Sequence, residues 1–221
     1  MMTFIKSHRG WVVLIIVAVG VVFISYGPII ESLLNLTQGP TPVVTPDVSS
    51  WRSYTNAKFG VSLKYPLTFQ LKPGQTGPLA EWELYGLTSG NEIASIEIPR
   101  SVQPRTNFGG ASLRMGLSTE ASAVKECLSP PSSFGYKDAF ARRAIGGVTF
   151  QEFSRSDAGA GNYYEFMSYR AVRNGGCEVF EYVIHYSNIQ NYPPESGIKE
   201  YNKQIVVDSL ESILDTVKFT K

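Results

Sequence analysis

Tyr163-Tyr164-Glu165-Phe166-Met167-Ser168-Tyr169-Arg170-Ala171-Val172 and Cys177-Glu178-Val179-Phe180-Glu181-Tyr182-Val183-Ile184-His185-Tyr186 flank a turn containing Asn174-Gly175-Gly176. Both runs are rich in aromatic and β-branched residues, and the turn residues accept positive φ. The stretch therefore reads as a β-hairpin. In its second arm Phe180, Tyr182, Ile184 and Tyr186 share a face with Glu178, and Val179, Glu181, Val183 and His185 share the other. Both faces are partly apolar, so the hairpin is expected in the middle of a sheet with material covering each side.

Working outward, strand signals dominate. Val61-Ser62-Leu63-Lys64-Tyr65 alternates, with Val61, Leu63 and Tyr65 on one face, and Pro66 ends it. Glu81–Leu87 and Glu92–Ile98 read as a hairpin around Thr88-Ser89-Gly90-Asn91, while Ser112–Leu117 and Val148–Phe153 read as further strands. Two helices are expected. Glu120–Leu128 is short, with Ser118 or Thr119 as its cap. Asn202–Thr216 is longer, with Ile205, Val206, Leu210, Ile213, Leu214 and Val217 at helical spacing. Phe219 begins a last short strand or plugs the core. The order of strands, helix, strands, helix predicts an α+β fold: an antiparallel or mixed sheet packed with helices.

The two ends of this region carry a resemblance. Trp51-Arg52-Ser53-Tyr54-Thr55-Asn56-Ala57-Lys58-Phe59-Gly60, followed by the Val61–Tyr65 strand and Pro66, resembles the opening of many bacterial extracytoplasmic proteins of unknown function. Leu210-Glu211-Ser212-Ile213-Leu214-Asp215-Thr216-Val217-Lys218-Phe219 is similar to their closing helix and strand. Those proteins resemble the PsbP/Mog1-like fold, an antiparallel sheet between helical layers. The resemblance implies a non-enzymatic accessory role, since PsbP serves a photosynthetic complex on its lumenal side and Mog1 binds a small GTPase. It assigns no site residue here.

The N-terminal part has a different character. Trp11 to Ile24 has no polar side chain, and the apolar run reaches about Ile30. That is roughly the 20 residues that cross a bilayer core. Lys6 and Arg9 precede it, and the next basic residue is Arg52, so residues 1–10 are expected in the cytoplasm and the bulk of the chain outside. Trp11, Leu14, Ile15, Ile16, Val22 and Phe23 represent this membrane anchor. An uncleaved signal anchor fits best. A cleaved signal peptide competes, with a poor cleavage site near Ser25-Tyr26-Gly27-Pro28, and so does a buried core helix. Residues 31–50 read as a Pro/Thr-rich linker whose Gly39–Ser50 part spans roughly 35 to 40 Å when extended. Residues 51–221 then form one α+β domain.

Composition narrows function by exclusion. The net charge is +1, with no basic block, which argues against nucleic acid. Cys127 and Cys177 are the only cysteines, and outside the cytoplasm an even count reads as a disulfide. His185 is the only histidine of the folded part, so a His-rich zinc site is excluded, though carboxylate calcium sites are not. Asp157-Ala158-Gly159-Ala160-Gly161-Asn162 is a small-residue loop, and Gly159, Gly161 and Asn162 are its candidates for cradling a ligand. Glu81/Glu83, Glu92, Glu97 and Glu178/Glu181 have no acid/base spacing and read as solvated strand faces. Most of the abundant tyrosines belong to cross-strand pairs, and the excess is suited to a binding face. The expectation is a non-catalytic module with no cofactor and no metal. It would be held in membrane lipid by one helix and dock on a protein partner or membrane complex. A small-ligand or cell-envelope binder is the alternative.

Overall fold

The computed structural model describes residues 47–74, 76–77, 90–129 and 141–220. Among them lie eleven strands: β1 (Arg52–Asn56), β2 (Val61–Tyr65), β3 (Gln70–Pro73), β4 (Thr76–Gly77), β5 (Gly90–Ile98), β6 (Phe108–Ser118), β7 (Arg142–Ile145), β8 (Val148–Gly159), β9 (Asn162–Arg173), β10 (Gly176–Ser187) and β11 (Lys218–Phe219). The helices described are α1 (Ala121–Glu126) and α2 (Lys203–Leu214). The expected hairpin of Tyr163–Val172 and Cys177–Tyr186 is β9–β10. Its turn residues Asn174 and Gly175 have φ of 51° and 76°, a two-residue turn whose twist suits the strands it joins.

The strands form an eight-stranded sheet in the order β3-β5-β6-β10-β9-β8-β7, with β4 also on β5, and a three-stranded sheet β1-β2-β11. The strand pairs are antiparallel throughout. β10 is central, between β6 and β9, as both of its partly apolar faces require. One face of the large sheet carries Ile96, Leu113, Met115, Phe150, Tyr169, Phe180, Tyr182 and Ile184. It shares a core with Val61, Leu63 and Tyr65 of β2 and with Val206, Leu210, Ile213 and Leu214 of α2. Burial of side chains of this size, at roughly 2 kcal/mol each, is what holds the sheets and α2 together.

This architecture corrects the α+β expectation. Eleven strands stand against one short and one twelve-residue helix, so the domain is β-rich. Among the described residues α2 packs on one face of the large sheet and short α1 against Cys177 and Val179 on the other; the PsbP/Mog1-like fold is not confirmed. Strands with little apolar alternation, such as Arg142–Ile145 and the far half of β8, shift the balance. No helix among the described residues is long and apolar enough to cross a membrane. The expected span Trp11–Ile30 lies outside the described residues, as do the Glu81–Leu87 arm and most of the linker. β5 pairs instead with β3, β4 and β6.

Two smaller corrections concern helices. The cap of α1 is Glu120, with no side-chain cap bond, although the Ser118 hydroxyl accepts weakly from the Glu120 N–H (3.4 Å). Ile205 does not belong to the buried stripe of α2 and is 48% exposed.

Candidate functional site

Among the described residues an open groove of about 1050 Å³ lies between the core face of β8–β10 and the start of α2. Strand parity builds its floor. Ser154↔Met167↔Tyr182 and Ser156↔Glu165↔Ile184 are cross-strand rows, so these side chains stand on the face that α2 partly covers. Tyr201, Asn202, Lys203, Gln204 and Val207 form the opposite wall. Small serines on β8 are what leave the space open.

The helix end is fixed firmly. Asn202 caps α2, its side chain accepting from the Gln204 and Ile205 N–H groups (3.0 and 3.4 Å). Buried Gln103 grips the Asn202 backbone on both sides, accepting from its N–H (2.7 Å) and donating to its carbonyl (2.8 Å). Lys203 reaches across the groove to Glu165. The Tyr186 hydroxyl donates to the other Glu165 oxygen (3.3 Å). Rings continue from there: Tyr163 stacks on Tyr186 at 5.2 Å, Tyr186 meets Tyr201 at 4.9 Å, and Tyr201 stacks on Phe108 at 5.7 Å. Burial pushes the Tyr186 phenol up, and the Glu165 charge adds to it. Burial likewise raises Tyr201 and Tyr182, the latter with help from Tyr169. These phenols stay protonated at neutral pH, and that of Tyr186 donates to Glu165.

Arg143 of β7 pairs with Glu211 and, at 2.6 Å, with Asp215 of α2. Glu211 also accepts from the Tyr169 hydroxyl (2.9 Å).

The opposite face of the large sheet mixes buried charge with apolar residues: Arg114 pairs with Glu181 across β6–β10, and Arg170 lies over Phe153 at 4.9 Å. On the core face, beside the β9–β10 turn, Arg173 pairs with Glu178 and lies over Phe219 at 4.3 Å. Glu178 and Glu181 are buried, contrary to the solvated face expected of them; paired buried charges of this kind hold register. Glu97 does meet solvent, beside Lys72 at 3.6 Å.

Cys127 and Cys177 are bonded and join the end of α1 to the start of β10. A disulfide persists in oxidising compartments, so it agrees with an extracytoplasmic domain. The Asp157–Asn162 segment is not an open loop. Its residues finish β8 and begin β9 around a two-residue turn, Ala160 and Gly161, with φ of 49° and 76°. The Gly161 carbonyl accepts from the Asn188 N–H (2.8 Å) and the Asn191 amide (3.1 Å). Asn162 Oδ1 bonds His185 Nε2 (2.9 Å). Gly159, Gly161 and Asn162 are not among the residues that line the groove. Trp11, Leu14, Ile15, Ile16, Val22 and Phe23 lie outside the described residues. Among the described residues no group of three His, Cys, Asp or Glu could hold a metal ion.

Sequence reading missed the groove. Its one local signal was the small-residue parity Ser154, Ser156, Ala158 on β8; the approach of Lys203 to Glu165 is long-range and leaves no such mark.

No protein-family model matches the chain, and no curated protein does. Among solved structures the chain is similar to LpqN, involved in cell envelope biogenesis of Mycobacterium tuberculosis. The identity is 12%, covering 83% of this chain and 100% of that one, with a TM-score of 0.43. At that depth the likeness carries no functional argument.

Proposed function

We propose that this chain is a non-catalytic, extracytoplasmic binding module, tethered to a membrane through Trp11–Ile30, and that the α2 groove takes a small or cell-envelope ligand. The groove is the observation that supports this reading. It is concave and lined by a mixture of apolar side chains (Met167, Ile184, Val207) and convergent polar ones (Ser154, Ser156, Gln204, Lys203). Ligand sites combine such a surface with a few placed polar groups. The tether rests on the purity and length of the apolar run and on the basic residues before it.

The test is native mass spectrometry of the full chain purified in mild detergent, with Ser154→Trp as the filled-groove control. A small-molecule adduct carried by the native chain and lost in S154W supports the reading. An absent adduct, together with a stoichiometric protein companion that S154W retains, overturns it in favour of partner docking.

A further inference from the structure

The charged and phenolic donors along the α2 groove are already engaged. Lys203 gives its ammonium to Glu165, and Gln204 donates to Asp208 (2.7 Å). Arg155 projects from the other face of β8, where its guanidinium lies over Phe166 (4.5 Å) and 3.5 Å from Asp157. The Tyr182 hydroxyl is hydrogen-bonded to Tyr169. Tyr169 donates its one proton to Glu211 (2.9 Å), so the proton between the two phenols belongs to Tyr182. The Tyr182 oxygen is left as an acceptor, on a side chain only 6% exposed. The Ser154 and Ser156 hydroxyls hold no hydrogen bond among the described residues. A carboxylate stands beside these acceptors. Glu152 lies on the same face of β8 as Ser154, one pleat away, and opposite Tyr169 in register. Burial first, and then in part the Glu152 charge, raise both phenols. Glu152 is half-buried, and its carboxylate holds no ion pair or hydrogen bond among the described residues. Arg143, the β7 cation on that face, is taken by Glu211 and Asp215.

We propose that the Tyr182 end of the groove takes an ammonium group, and that the ligand is a small primary amine with an aliphatic body. The inference rests on the groove being the ligand site. An ammonium brings three donors and no acceptor. That matches what Tyr182, Ser154 and Glu152 leave open: acceptors, and one negative charge without a counter-charge. The aliphatic body lies against Met167, Ile184 and Val207, the apolar part of the lining. An alcohol of the same length supplies one donor and leaves Glu152 unmatched. A carboxylate brings acceptors to acceptors and is repelled by Glu152, while the cations that could hold it are closed in the pairs above.

The test is isothermal titration calorimetry of the full chain in mild detergent at neutral pH, with detergent alone as the blank. The probes are hexylammonium, hexanol and hexanoate, which share a tail and differ in the head. Hexylammonium is expected to bind about tenfold tighter than either of the others, through charge-assisted hydrogen bonds. Glu152→Gln keeps the size and removes the charge, so it should abolish that preference while leaving hexanol binding and the thermal midpoint unchanged. Ser154→Trp should remove hexylammonium binding. Equal affinity for the three probes, or an E152Q chain that keeps the preference, overturns the ammonium assignment; if S154W still blocks the probes, the groove stands as a ligand site. Hexylammonium binding that S154W leaves intact puts the amine elsewhere and overturns the assignment. A native chain that binds no hexylammonium overturns it too, and the groove reading is then decided by the native adduct alone.

Discussion

At the scale of single residues, His185 is held by three contacts. Its Nε2 bonds Asn162 (2.9 Å), its ring stacks on Tyr164 (4.6 Å between centroids, 11° between planes), and Gly109 lies against its other edge. A Cβ at position 109 would stand 2.3 Å from Nδ1. Gly109→Ala is expected to cost about 1 to 3 kcal/mol by overpacking, read as a lower urea midpoint. The cost should largely vanish in the His185→Ala background, because the clash is with the ring. Partial burial also lowers the His185 pKa below its ordinary 6.5. The folded state then binds fewer protons than the unfolded chain just below pH 6.5. Stability is whole above that value and falls as the pH is lowered toward the depressed folded pKa. Urea midpoints measured across this window should fall for the native chain and fall less for His185→Gln. An identical slope in H185Q would assign the effect to other groups.

At the scale of elements, the sequence was most legible where one period governs a whole segment. β2 keeps the boundaries and the buried face that its alternation implied. β9, β10 and their turn follow from aromatic runs around Asn174-Gly175-Gly176. α2 follows from its stripe and from Asn202 at its start. Edge strands were illegible, because Gln70–Pro73 and Arg142–Ile145 face a single neighbour and carry no apolar alternation. The disulfide was legible from two cysteines and a compartment. Its loop spans 50 residues, so replacing both cysteines by serine should cost about 4 kcal/mol in the chain-entropy model, seen as a fall in thermal midpoint that added reductant reproduces in the native chain. The cap of α2 admits a finer test. Asn202→Ala removes the acceptor for two N–H groups at the groove wall and should cost about 1 kcal/mol. Gln103 still grips the backbone there, so the loss should appear in stability with little movement of the groove.

At the scale of the whole molecule, the distinguishing feature is how far apart in sequence its joined parts lie. β11 closes onto β2, so the last strand seals the sheet that the first two begin. Phe219 reaches the large sheet's core through Phe150 and Phe180, at 6.2 and 6.3 Å. That Phe219 starts a last short strand and packs on the core was expected from the sequence, but its partner strand β2 could not be read from periodicity, which reports on neighbours in sequence; the groove was hidden for the same reason, since Lys203 and Glu165 meet only after α2 has folded back. One hydroxyl concentrates the closure. Thr216 Oγ1 accepts from the Lys64 N–H (2.8 Å) and lies 3.2 Å from the Lys64 carbonyl, 152 residues away. It also sits 2.7 Å from the Ile213 carbonyl at the end of α2. Thr216→Val keeps the shape and removes the acceptor, leaving a part-buried N–H unsatisfied. The expected cost is about 1 to 3 kcal/mol. Because both sheets and α2 share one core, the loss should not split the molecule. Unfolding should stay a single transition by fluorescence and circular dichroism alike, moved to lower urea with an unchanged slope. Two separated transitions in T216V would mean that the three-stranded sheet unfolds on its own, and the closure would then be a local device.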